Sequence, residues 1–159
     1  YLKLKIMESQ NNYFANKFQK VTLAVFTLFF IAFIFFFKGT IFQSTLQLKN
    51  FGNLSMNPEM AFTNGKPTYL EFYAEWCEIC KEMAPEVTEL KENFDNEINF
   101  VFLNVDNPKW DKFIKQFNVN GIPQINFIDS NLNVQSTFTG LQKETTLKDS
   151  INYLLKTNK

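Results

Sequence analysis

Cys77 and Cys80 are the two cysteines of this chain, and they stand three positions apart in Trp76-Cys77-Glu78-Ile79-Cys80. An extended apolar segment precedes them, and a helical pattern begins at Cys77. The pair is therefore expected to open a helix. The unpaired N–H groups and partial positive charge at such a helix end stabilise a thiolate on Cys77. Cys80, one turn further in, is placed to close a disulfide with it. Cys77 would attack a substrate disulfide, and Cys80 would resolve the mixed disulfide that forms. A merely structural crosslink is a weak alternative, because a four-residue loop constrains little chain entropy. A carboxylate beside the thiols, Glu78, disfavours a thiolate and should make the disulfide less oxidising than a basic dipeptide would.

Other chemistries lack their residues. The chain has no His, so Ser-His-Asp and Cys-His catalysis are excluded. A structural zinc site wants four Cys or His ligands, which one chain cannot supply; only a zinc-bridged dimer would meet the need. Lys+Arg and Asp+Glu are equal at 16 each, so no global basic field favours nucleic acid.

The elements that must position the pair follow from apolar spacing. Asn57-Pro58 reads as an N-cap followed by Pro at the first helical position, with Gly65 closing a short helix. Lys66–Ala74 reads as a buried strand and Cys77–Phe94 as a long helix, with Met83, Val87, Leu90 and Phe94 on one face and a kink expected at Pro85. Ile98–Val105 is a second strand, Pro108–Phe117 a helix, and Pro123–Ile128 and Val134–Phe138 two further strands. Asp129–Asn133 carries hairpin-turn chemistry between those two. The last helix bears Leu147, Ile151, Leu154 and Leu155 on one stripe. The order helix, strand, helix, strand, helix, strand, strand, helix predicts an α/β fold, a mixed central sheet flanked by helices.

Ahead of this lies Val21–Phe37, a run without a charge between Lys20 and Lys38. As a helix it spans roughly 26 Å, just short of a ~30 Å hydrocarbon core, and flanking lysines can snorkel to make up the difference. It is too long for the apolar region of a signal peptide and lacks a clean small-x-small cleavage site. The reading is one N-terminal transmembrane helix in the lipid bilayer: 1–20 a cytoplasmic or stromal segment, 21–37 the anchor, 38–56 a tether without clear period, 57–159 the folded domain. Lys3, Lys5, Lys17 and Lys20 precede the run and Lys38 and Lys49 follow it. That excess places the domain on the far side of the membrane. A start at Met7 would weaken the bias. Charge divides likewise: Phe51–Lys159 holds 10 Lys and 15 Asp+Glu, and the rest holds 6 Lys and Glu8.

The segment from Tyr69 through Glu71, Trp76, Cys77 and Cys80 to Pro85 resembles the active-site region of the thioredoxin family. So do Leu103-Asn104-Val105-Asp106, Gly121-Ile122-Pro123 and the late Gly140. The resemblance covers roughly residues 57–156. It implies a thioredoxin-like fold in which Pro123 is cis and lies beside the disulfide. It also implies that Trp76, Ile122, Pro123 and Gly140 bind substrate, whose backbone pairs there like an added strand. Glu71 falls where the family carries a buried acid that exchanges a proton with the second cysteine, here Cys80. The chain departs from the family at Glu78-Ile79, where Gly-Pro is usual, at Phe102, where a Lys near the acid is usual, and in its anchor.

The anchor, Trp76-Cys77-Glu78-Ile79-Cys80 and the stretch from Asn104 to Trp110 resemble one subfamily, the membrane-anchored thylakoid thioredoxin-like proteins of cyanobacteria and chloroplasts. That likeness implies a lumenal domain that takes electrons from a membrane thiol carrier. It reduces disulfide-bearing lumenal or periplasmic proteins, including apocytochromes before haem attachment, and needs no cofactor beyond the Cys77–Cys80 disulfide. Trp110 would belong to a partner surface or to core packing. The alternatives are a disulfide-forming oxidase of exported proteins and a non-catalytic assembly module for a membrane complex.

Overall fold

The computed structural model describes residues 2–157, and side chains for residues 19–36 and 43–157. The chain divides into two units, Tyr1–Ile41 and Phe42–Lys159.

The first unit is helical. Helix α1 spans Leu2–Leu54. Within it, Gln19–Phe36 is 18 residues long with a mean hydropathy of 2.0, long and apolar enough to cross a membrane. The side chains of this stretch are exposed all round, the pattern of a helix whose apolar surface needs a nonaqueous surround. Lys3, Lys5, Lys17, Phe37 and Lys38, used above for anchor length and orientation, lie outside the residues whose side chains are described.

In the second unit, α1 is followed by α2 (Pro58–Ala61), β1 (Thr68–Tyr73), α3 (Glu78–Phe94), β2 (Asn99–Asn104), a 3-10 turn at Pro108–Trp110, α4 (Asp111–Gln116), β3 (Gln124–Ile128), β4 (Val134–Thr139) and α5 (Glu144–Thr157). The sheet order is β2-β1-β3-β4. β1 and β2 run parallel, joined by the crossover helix α3, while β1/β3 and β3/β4 are antiparallel. The mixed sheet flanked by helices is the one predicted.

Strand alternation sorts the core into two faces. One joins Tyr69, Phe100, Phe102, Ile125 and Phe127 to α3 and α5. The other joins Leu70, Phe72, Val101, Leu103 and Ile128 to Ala61 of α2 and to partly buried residues on and around α4. Trp110 lies on this second face, half-buried against Phe113 with ring centroids 6.0 Å apart. Asn57 caps α2 by accepting the N–H groups of Glu59 and Met60. At the β3–β4 turn, Asp129 Oδ1 accepts the N–H groups of Asn131 and Asn133 at 2.9 and 2.8 Å, which lets Leu132 hold φ +67°. α3 runs through Pro85 without interruption.

The tether needs correcting. Residues 38–54 continue α1 rather than forming an irregular segment. Leu48 and Phe51 are 1% and 0% exposed and belong to the core face that contains the cysteines. Phe51 stacks on Phe102 with ring centroids 4.2 Å apart. The residues just after the helix cover the open edge of β2: Met56 N–H donates to Phe100 O, and Phe102 N–H donates to Ser55 Oγ, both at 2.9 Å. An edge that would otherwise display free backbone groups is thereby closed.

Candidate functional site

The end of β1 delivers the cysteines. After Tyr73 the chain turns at Ala74, whose carbonyl accepts Cys77 N–H at 3.1 Å. Cys77 is the N-cap of α3, with φ −74° and ψ 110°. Its sulfur accepts the Cys80 N–H at 3.1 Å, so a donor of the helix end is aimed at the Cys77 sulfur. That donor and the helix dipole favour a thiolate there. Cys77 and Cys80 are joined in a disulfide, with Cα atoms 5.2 Å apart. Cys77 is 5% exposed and Cys80 0%. Cys77 is thus the outer sulfur of the pair and Cys80 the inner one.

Glu78, between them, has an 83% exposed side chain and pairs with Lys81 at 2.7 Å. A solvated, partnered carboxylate exerts little field on the thiols. The expectation that Glu78 sets the redox character therefore loses its physical support.

Around the disulfide, Trp76 is 63% exposed, and its indole N–H donates to Asp106 Oδ2 at 2.9 Å. The Ile122–Pro123 peptide is cis. The Pro123 carbonyl accepts Gly140 N–H at 2.9 Å, and Gly140 holds φ +82°, a backbone conformation that favours glycine. Ile122 packs, partly buried, against the core face that includes both cysteines. The sequence-predicted residues thus fall into two tied groups, Trp76–Asp106 and Pro123–Gly140, with Ile122 on the cysteine core. Sequence reasoning gave no role to Asp106, nor to the exposed apolar side chains Ile79 and Leu141 beside Cys80 and Gly140. The apolar character of Ile79 and Leu141 next to two singled-out positions was the available signal.

Glu71 is fully buried on β1. Its register partners are Phe102 on β2 and Ile125 on β3. Phe102, at the position that the family resemblance gives to a lysine, offers no charge. Tyr69 donates its hydroxyl hydrogen to Glu71 Oε2 at 2.7 Å, and Oε1 has no hydrogen-bond partner among the described residues. Burial pushes the Glu71 carboxyl up to about 7, while the Tyr69 hydrogen bond pulls it back. An acid at that value gives and takes a proton near neutrality.

The pH dependence of stability follows in sign. The ordinary value for Glu71 is 4.5 and the folded one about 7. The native state therefore holds the extra proton between them, and stability falls as pH rises through that window, by about 3 kcal/mol in total. The contribution is complete below about 4.5 and lost above about 7. Glu71→Gln should remove this slope and leave the oxidised protein more stable than the parent at alkaline pH, measured by urea unfolding across the range. An unchanged slope would mean that another group titrates.

Among the described residues no cluster of His, Cys, Asp or Glu could hold a metal ion. The thioredoxin family profile matches residues 53–153, the whole of the region just described. The chain belongs to the thioredoxin family. Its thioredoxin domain carries the Cys77–Cys80 disulfide. It is 38% identical over 124 residues to the chloroplastic thioredoxin-like protein HCF164 of Arabidopsis thaliana, covering 78% of this chain and 48% of that protein. It is 40% identical over 95 residues to the thiol:disulfide interchange protein TxlA homolog of Synechocystis sp., covering 60% and 53%. These relatives match the subfamily that the active-site and Trp110 motifs resemble. The chain spans about half the length of the curated relatives it matches. Among solved structures, the thioredoxin Deadhead of Drosophila melanogaster superimposes with a TM-score of 0.51 at 27% identity, over 57% of this chain and 83% of that one.

Proposed function

We propose that this thioredoxin is a membrane-anchored reductase of protein disulfides on the lumenal or periplasmic side, apocytochromes among its substrates, fed by a membrane thiol carrier. The observation that carries the reading is the cysteine geometry: an outer sulfur at a helix N-cap, an inner sulfur fully buried, and a buried acid on the same core face of β1. In this reading residues 21–37 anchor the chain, with the N-terminus cytoplasmic or stromal. Cys77 attacks, Cys80 resolves, and Glu71 exchanges the proton of Cys80. Trp76, Ile122, Pro123 and Gly140 form the groove that takes the substrate backbone. The candidate span supports the membrane location, and the kinship to a thiol:disulfide interchange protein supports the protein substrates.

Direction is a matter of potential. The full chain in detergent should equilibrate with glutathione and a stronger dithiol at or below roughly −230 mV, in the range of the reducing members of the fold. A value above roughly −160 mV would overturn the reductase reading and make the protein an oxidase.

A further inference from the structure

We infer that Tyr69 is a positioning residue of the redox site: it pins one oxygen of the Glu71 carboxyl and leaves the other as the atom that exchanges the Cys80 proton. This rests on the reading of Glu71 given under Proposed function. Residues two apart on a strand share a face, so Tyr69, Glu71 and Tyr73 project together from β1. Tyr69 and Cys80 belong to one buried core and are both 0% exposed. The Tyr69 hydroxyl donates to Oε2 at 2.7 Å, while Oε1, equally buried, has no partner among the described residues. A buried acceptor left open is costly, and such groups mark sites of function. The carboxyl therefore has one held oxygen and one free one.

The surroundings narrow what else can act on it. β2 presents Phe100 and Phe102 to this face, β3 presents Ile125 and Phe127, and α1 presents Leu48 and Phe51; none of these titrates. α3 presents Cys77 and Cys80 along with Met83 and Ala84. On β1 itself the titratable neighbours are Tyr69 and Tyr73, with Glu75 acting on Tyr73 from outside the core. Burial and the neighbouring Glu71 push the Tyr69 phenol well above its ordinary value, so it keeps its proton throughout. Tyr69 thus orients the acid and never becomes the acid.

The step balances as follows. The Cys77 thiolate attacks a substrate disulfide, forming a mixed disulfide and releasing one substrate thiolate. The Cys80 thiol gives its proton to Glu71 Oε1, and its sulfur attacks Cys77 Sγ. The Cys77–Cys80 disulfide forms, the second substrate thiolate leaves, and two electrons have passed to the substrate. Tyr69 holds Oε2 while the proton sits on Oε1, and the proton then passes to solvent.

The test is the pH profile of the second step. The reduced full chain in detergent is mixed with a small disulfide, and closure of the mixed disulfide is followed by acid quench and mass spectrometry. Tyr69→Phe removes the donor that favours the carboxylate, so the midpoint should move up by about one pH unit. A fluorinated tyrosine in place of Tyr69 is a stronger donor of nearly the same shape, and should move the midpoint down. Opposite shifts support the inference, since a packing role would not reverse sign. If the phenylalanine variant does not fold, the fluorinated residue decides alone, and an unmoved midpoint overturns the inference. Glu71→Gln separates the two levels. If it abolishes the pH dependence while both changes at Tyr69 leave the midpoint in place, the Tyr69 role fails and the Glu71 role stands. If the glutamine variant keeps the parent profile, the Glu71 reading fails, and the inference with it.

Discussion

Cys77→Ser should reduce disulfide exchange by roughly 10⁴-fold or more, the scale seen when a reaction loses its nucleophile. A serine hydroxyl at the N-cap of α3 still caps the helix, since its oxygen can accept the Cys80 N–H that the sulfur accepts at 3.1 Å. Local structure should therefore survive, and the loss should fall on chemistry. Cys80→Ser should behave differently. Cys77 keeps its helix-end environment and attacks, but the sulfur that would resolve the adduct is gone. The mixed disulfide should accumulate as a stable adduct under non-reducing mass spectrometry. The asymmetry follows from exposure, 5% against 0%. Adducts trapped through Cys80 in the Cys77→Ser variant would reverse the assigned order. Survival of the cellular function in a variant lacking both cysteines, with disulfide exchange gone, would replace the enzyme by the assembly-module reading.

The site was legible where chemistry forces residue type and spacing together. A cysteine pair three apart can be read from the chain alone, because a helix end and a short loop leave few other uses for it. Gly140 and Pro123 were legible through resemblance, and the structure gives each its backbone reason, a positive φ and a cis bond. The element order was also legible, since the central strands are short apolar runs, buried almost throughout, and the helices keep their period. Tyr69 was not. A tyrosine in a buried strand reads as core, and its hydroxyl becomes informative only once Glu71, two residues on, is known to share its face. Nor could sequence show that Glu78 is answered by Lys81, because an exposed pair of this kind depends on side-chain rotamers. The helical end of α1 was missed for a different reason. Gly39, Thr40, Thr45 and Gly52 are poor helix formers, and among the described residues of this stretch the apolar side chains in the core are Leu48, Phe51 and Leu54. Their spacing of three was a signal, but a sparse one beside polar neighbours.

That missed helix end carries the other large expected effect. Phe51 is fully buried, stacked on Phe102 at 4.2 Å and set edge-on to Tyr73 at 5.5 Å. Phe51→Ala removes a ring from a closed aromatic cluster whose strand members cannot collapse into the gap without bending the sheet. The cost should be about 3–5 kcal/mol in urea unfolding of the full chain in detergent. A loss below about 1 kcal/mol would mean that the last turns of α1 are a passive leader rather than part of the domain. The same variant has a second signature. Phe102 is the register partner of Glu71, so a gap behind Phe102 lets water closer to the carboxyl. Desolvation is the largest cause of the raised Glu71 value; relieving it should draw the carboxyl back down and flatten the fall of stability with pH. Phe51→Leu, which keeps most of the buried volume, should cost less and preserve that slope. If both variants lose stability equally and neither changes the slope, Phe51 serves packing alone, and the dryness of the acid comes from the strands.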